Sequence, residues 1–133
     1  MTLDVFLTAF RGGEEVAVDR NALESALAHE GLGGGRTTVT TSDGGAAQLL
    51  VDDDGASFLV QTLTPELSQL IFEVAREARL VTLPADGTPN AYVVDRALVD
   101  ELPHDLEASV VEAGSAFHEV LRASEEARGA RTS

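Results

Sequence analysis

Residues 64–78 carry the clearest structural signal in the sequence, that of an amphipathic helix with a defined start. Thr64 suits the N-cap, Pro65 suits the first helical position, and Glu66 places a negative charge in the first turn, where the helix dipole favours it. Apolar residues then recur at helical spacing in a single stripe, at Leu67, Leu70, Ile71, Val74, Ala75 and Ala78. A helix with one apolar stripe packs it against a second layer, so the segment predicts a layered fold.

Strand-like segments lie on both sides of this helix. Leu3–Phe10 alternates between two faces, with Val5 and Leu7 on one face and Phe6 and Phe10 on the other. Asp54-Gly55 is the strongest hairpin dipeptide in the chain, and it joins two further alternating segments. Short strands are also predicted at residues 37–41, 80–83, 91–94 and 108–111.

Two more helices complete the predicted order. One covers residues 20–30 behind the N-cap residue Asp19, and the other covers residues 115–128. The order predicts an α+β fold with an antiparallel or mixed sheet and two to three helices packed mainly on one face. This is the arrangement of a split βαβ, ferredoxin-like core with C-terminal additions. The 133 residues suit a single domain at residues 1–128, followed by a frayed C-terminal tail at residues 129–133.

Composition excludes several classes of protein. The chain has no cysteine, which excludes disulfides, thiolate zinc sites and a cysteine nucleophile. No uncharged apolar run approaches the roughly 18 residues of a membrane span. The N-terminal segment has an acid at Asp4 and no basic start, so it is a poor secretory signal. A cytoplasmic protein without membrane association is the expectation.

Net charge narrows the choice of partner. The 23 acidic residues outnumber nine basic residues, all of them Arg, and the formal charge is −14. Nucleic-acid and anionic-membrane binding both need cations that neutralise phosphates, so neither is expected. An acidic surface steers basic molecules toward it, although the charge also serves solubility alone.

The late segment concentrates carboxylates. No Arg separates the acids between Asp100 and Glu112, and like charges so close repel one another unless they are solvated. One interpretation is an exposed connection around Pro103, and the other is a docking surface for a basic partner. The candidate interaction surface consists of Asp100, Glu101, Asp105, Glu107 and Glu112.

Phe72 is a second candidate for that surface, because it lies off the apolar stripe of its helix. Either the C-terminal elements cover it within the monomer, or it forms an exposed aromatic patch for a partner or a second copy. A homodimer is therefore possible. The same question applies to Phe6 and Phe10 on the first strand.

The acidic hairpin Asp52, Asp53 and Asp54 is a weaker candidate site. Three carboxylates are suitable ligands for a hard cation, but adjacent strand residues point to opposite faces, so a solvated turn is expected. The glycine-rich run at residues 31–35 follows a helix and precedes a strand, the reverse of a phosphate-binding loop. No catalytic residue, metal site or cofactor is predicted.

Three functions are consistent with these observations. The first is a non-catalytic, acidic protein-interaction module of the immunity or inhibitor type, which binds a basic partner protein. The second is a small-ligand-binding protein or cofactor-free enzyme, as a monomer or a dimer, with a pocket on the open face of the sheet. The third is a structural role as a subunit of a larger assembly.

Overall fold

The computed structural model describes residues 3–32, 36–52, 55–85 and 90–132. These residues form an eight-stranded mixed sheet with three α-helices against one of its faces, which confirms the predicted α+β class. The helices are α1 (Arg20–His29), α2 (Pro65–Ala78) and α3 (Gly114–Thr132), and a 3-10 helix covers Arg96–Glu101. The predicted frayed tail at residues 129–133 stays a prediction, since α3 is described to Thr132 and Ser133 lies outside the described residues.

The sheet is built around its first strand. The strands are β1 (Leu3–Arg11), β2 (Glu14–Val16), β3 (Arg36–Thr40), β4 (Ala46–Asp52), β5 (Gly55–Thr62), β6 (Val81–Pro84), β7 (Asn90–Val93) and β8 (Glu107–Val110). Their order is β3-β4-β5-β1-β6-β7-β8, and β2 pairs with the end of β1. β1 is antiparallel to both β5 and β6, whereas β7 and β8 are parallel. β4 and β5 form the hairpin predicted from Asp54-Gly55, although Asp54 itself lies outside the described residues.

Helix α2 begins and ends as the sequence predicts. The Thr64 hydroxyl accepts a hydrogen bond from the Leu67 N–H at 3.2 Å, which satisfies one of the free donors of the first turn. Pro65 occupies the first turn, and the helix ends at Arg79, whose φ of 53° is left-handed. Its apolar stripe packs on the sheet beside Leu3, Val5 and Leu7 of β1.

The three helices and one face of the sheet enclose the main core. Alternate residues of β1, β4 and β5 point into it, because successive side chains of a strand lie on opposite faces. Its largest fully buried side chains are Phe58, Phe117, Leu3, Leu7, Leu23, Leu27, Leu49, Leu67, Ile71, Leu121, Val5 and Val39.

Phe72 belongs to this core, so its prediction as an exposed interaction residue is wrong. It is 4% exposed, and its ring lies against that of Phe117 in α3, with the ring centroids 5.6 Å apart and tilted by 59°. Helix α3 packs against α2 and covers Phe72, the side chain that lies off the apolar stripe. The alternative interpretation, in which the C-terminal elements cover Phe72 within the monomer, is the correct one.

The opposite face of the sheet is covered over half of its width. The 3-10 helix and the residues that follow it lie over β6, β7 and β8 and bury a second, smaller apolar cluster. That cluster consists of Val81, Ala91, Val93 and Leu102, with Phe10, Leu83, Leu98, Val99, Leu106, Ala108 and Val110 packed around it. In the described part of the chain, no helix has both the length and the apolar character needed to cross a membrane.

Asp43 fastens the β3–β4 turn to the start of α2. Its carboxylate accepts hydrogen bonds from the hydroxyls of Thr41, at 2.6 Å, and Thr64, at 2.7 Å, and from the Glu66 N–H at 3.1 Å. These bonds, of which the one from Thr41 has the largest effect, outweigh desolvation and lower the pKa of Asp43 from 3.8 to about 2.

This lowered pKa predicts an acid-dependent loss of stability. The folded-state pKa lies below the unfolded value, so the contribution is fully present above about pH 4 and is lost as the pH falls through about 2. We expect Asp43→Asn to be less stable than the wild type near neutral pH, and we expect the difference to shrink toward about pH 2. Urea unfolding of both proteins across this range measures it. A difference that stays constant with pH would contradict the assignment, and Asp100→Asn controls for the loss of one charge.

Candidate functional site

The uncovered half of the second sheet face, here called the open face, is formed by β4, β5 and β1. Strand register aligns four side chains in one row across it. Leu50 lies opposite Ser57, Ser57 lies opposite Phe6, and Phe6 lies opposite Leu83. These side chains share a face because residues directly opposite in paired strands point the same way. The row runs from β4 to the edge of the cluster beneath the 3-10 helix.

Small residues in β5 turn this row into a groove. Phe6 and Leu50 are 41% and 42% exposed, and they lie on either side of β5. Between them, β5 presents the small residues Gly55 and Ser57 to the open face. Because neither small residue fills the space between the two walls, a depression of about 470 Å³ opens above β5. Its lining is Phe6, Leu7, Thr8, Glu15, Leu50, Asp52, Gly55, Ala56, Ser57 and Leu83.

A second depression of about 220 Å³ continues the groove along the strands. It shares Leu50 and Ser57 with the first, and its further lining includes Asp4, Gln48 and Leu59. The open face therefore carries one elongated groove with apolar walls. A preformed groove of this shape has room for an apolar group without any rearrangement of the backbone.

Carboxylates lie at the ends of the groove. Asp4 lines the smaller depression, whereas Glu15 and Asp52 line the larger one. Within the described residues, neither depression has an Arg or His side chain in its lining. The groove thus combines apolar walls with negative ends, an arrangement that favours a cationic group beside an apolar one.

The acidic segment from Asp100 to Glu112 does not form one cluster. Asp100 and Asp105 are exposed, but the Glu101 carboxylate accepts a hydrogen bond from the Gly12 N–H at 2.7 Å. Gly13 also donates its N–H to the Glu101 carbonyl at 3.0 Å. Glu101 therefore holds the β1–β2 turn against the 3-10 helix. This structural role accounts for an acid at position 101 without a docking surface.

The remaining acids of that segment lie on and after the edge strand β8. Glu107 and Glu112 are exposed. Ala108 packs in the cluster beneath the 3-10 helix, so the adjacent Glu107 points to the opposite face of the sheet. Among the described residues, no three His, Asp or Glu side chains converge as metal ligands.

The acidic hairpin is described only in part. Asp52 is exposed and lies at the groove, whereas Asp53 and Asp54 lie outside the described residues. Asp52 is therefore the one residue of the predicted acidic hairpin that the structure places at the open face. For the rest of the groove, the sequence offers one signal, the two-faced pattern of β1, which puts Phe6 on the opposite face from Val5 and Leu7.

Two histidines make contacts that the sequence did not predict. The Nδ1 atom of half-buried His118 lies 2.7 Å from the hydroxyl oxygen of Ser68, which is fully buried. This bond ties α3 to α2, and the complete burial of Ser68 leaves its hydroxyl inaccessible to a substrate. Exposed His29 contacts Glu77 of α2 at 2.9 Å.

The end of α1 carries a second concentration of carboxylates, which the sequence does not reveal. Desolvation, followed by the nearby charges of Glu73 and Glu77, raises the pKa of Glu30, while His29 opposes the rise. The residues come from two different helices, so only the fold reveals their proximity.

Comparison with models of protein families, with curated proteins and with solved structures finds no match to this chain.

Proposed function

We propose that this protein is a non-catalytic protein-interaction module that binds a basic partner protein through the open face of its sheet. The observation that carries the proposal is the apolar groove between Phe6 and Leu50, with carboxylates at its ends. We therefore propose a partner surface on the sheet, whereas the sequence suggested the acidic segment from Asp100 to Glu112.

The exposed walls of the groove support an interface. Phe6 and Leu50 are the two large apolar side chains that the described part of the chain leaves exposed, and they flank the same strand. Contiguous exposed apolar groups mark binding surfaces more often than scattered ones do. A central apolar pocket surrounded by polar groups is also the usual form of an energetic hot spot.

Charge selects the class of partner. The net charge of −14 steers a basic protein toward this chain and slows the approach of an acidic one. The same repulsion acts between two copies of the chain at low ionic strength, which disfavours a homodimer across the open face. A basic partner removes that cost, because its cations offset the carboxylates at the ends of the groove.

A small-ligand function is the second candidate, and the volume of the groove favours it. The larger depression, about 470 Å³, lies within the roughly 300–1,000 Å³ of typical ligand sites. Native mass spectrometry of the purified protein tests this candidate directly. A retained small molecule that Ser57→Leu displaces would favour it over the protein partner.

Filling the groove tests the main proposal. Peptides selected from a random display library on the wild-type protein are expected to be rich in Lys and Arg. We expect Ser57→Leu to weaken their binding by about tenfold or more, because the new side chain occupies the space between Phe6 and Leu50. Isothermal titration measures the affinities.

Ser109→Leu is the matched control for that experiment. It makes the same substitution at an exposed position of β8, at the far edge of the sheet and outside the lining of the groove. Equal weakening by both variants would place binding elsewhere. Selected peptides without an excess of cations would refute the basic character of the partner.

A further inference from the structure

The width of the groove limits what enters it. Phe6 on β1 and Leu50 on β4 are separated by two strand spacings, about 9.5 Å between backbones. Their own side chains occupy part of that width, so the remaining gap accepts one side chain or one extended segment. A helix, about 10–12 Å in diameter, rests on the walls without entering.

Along the strand direction, one carboxylate lies before the gap and another lies after it. Asp4 is two residues before Phe6 on β1, and Asp52 is two residues after Leu50 on β4. Two residues of a strand advance about 7 Å. The rows of paired residues that contain Asp4 and Asp52, here called the carboxylate rows, therefore each lie about 7 Å from the central row of Leu50, Ser57 and Phe6. Glu15 extends the negative end beyond Asp52.

An extended peptide has the same spacing as these rows. Its side chains at positions i−2, i and i+2 point the same way and are about 7 Å apart. A bulky apolar side chain at position i therefore enters the gap above Ser57 while Lys or Arg at i−2 and i+2 reach the two carboxylate rows. Charge complementarity thus defines both the composition and the register of the occupant.

We propose that the groove recognises an extended basic segment in which one bulky apolar residue has Lys or Arg two positions away on each side. This inference rests on the proposed function, and it names the part of the partner that the open face binds. Burial of the central side chain stabilises the complex. The flanking cations make binding selective and increase the association rate.

Synthetic peptides test the inference on the full chain. The parent peptide has nine residues, with a central Leu, an Arg two positions away on each side, and Gly and Ser elsewhere. Titration followed by two-dimensional ¹H–¹⁵N NMR is expected to shift the signals of Phe6, Leu50 and Ser57. Replacing the central Leu with Ser is expected to weaken binding about tenfold, and replacing both Arg with Glu is expected to abolish it.

Register and charge are tested separately. A longer peptide with Arg four positions away on each side, the helical spacing, is expected to bind several-fold more weakly than the parent. Asp4→Asn with Asp52→Asn is expected to weaken parent binding about fivefold at low salt and to reduce its salt dependence. The control, Asp100→Asn with Asp105→Asn, removes the same charge away from the groove and is expected to change binding less than twofold.

The outcomes distinguish this inference from the proposed function. Equal weakening by the two double variants, or equal binding of the two Arg spacings, overturns the recognition pattern. If library peptides still bind in a way that Ser57→Leu abolishes, the open face remains an interaction surface and only the pattern is wrong. If no peptide binds in a way that depends on Ser57, both proposals fail.

Discussion

Replacing Gly55 with alanine is expected to lower the free energy of unfolding by about 3 kcal/mol or more, a large part of the stability of a typical domain. Gly55 has a φ of 143°, where a side chain is strained. A Cβ atom at this position would also lie 2.0 Å from the Leu7 carbonyl oxygen and 3.1 Å from its carbonyl carbon. Those atoms belong to the backbone of β1 in the middle of the sheet, so they cannot move aside without breaking strand pairing.

Gly31→Ala is the matched control, because it isolates the effect of the backbone angle. Gly31 has a φ of 75°, but a Cβ atom there would meet nothing within 4 Å. We expect this variant to lose only about 1–2 kcal/mol. Urea unfolding followed by circular dichroism compares the two proteins. Similar losses at both positions would show that β1 and β5 do not approach as closely as the structure shows.

Gly55 also connects stability with the proposed function. The missing side chain allows the backbone of β5 to lie against that of β1, and Gly55 also lines the larger depression of the groove. Gly55→Ala therefore disturbs both properties at once. Ser57→Leu is the better functional probe, because Ser57 is half-buried on the open face and its side chain points away from the main core.

Local signals in the sequence predicted the parts of the fold that depend on neighbouring residues. Thr64 and Pro65 define the start of α2, and Asp19 caps α1 through its side chain, which accepts hydrogen bonds from Asn21 and Ala22. The hairpin of β4 and β5 was also predicted, because residues 46–51 and 57–63 alternate on either side of a turn signal. In each case the interacting groups belong to one element or to two elements that follow each other in the chain.

The candidate site depended on contacts between distant parts of the chain, and these were not predictable. The groove requires β4, β5, β1 and β6 to be neighbours in that order, which periodicity does not reveal. Glu101 looked like a free surface acid because its partner, Gly12, is 89 residues away. The two faces of β1 were recognised, yet only the position of the 3-10 helix decides that Phe10 is covered and Phe6 is exposed.

Phe117→Ala is expected to destabilise the protein by about 3–5 kcal/mol, the usual cost of deleting a buried aromatic ring. Phe117 is fully buried, and it connects α3 to Phe72 of α2. Removing the ring leaves a cavity at this junction and exposes part of Phe72 to water. Urea unfolding measures the loss of free energy, and a double-mutant cycle with Phe72→Ala isolates the coupling between the two rings.

Phe6→Ala is the matched control, since it deletes the same ring from a residue that is 41% exposed. Its stability is expected to stay within about 1 kcal/mol of the wild type, while its binding of selected peptides weakens. A coupling energy of about 0.5–1.5 kcal/mol between Phe72 and Phe117 would verify their contact. If Phe117→Ala cost no more than Phe6→Ala and the coupling were zero, α3 would not cover α2. Phe72 would then again be a candidate for the partner surface.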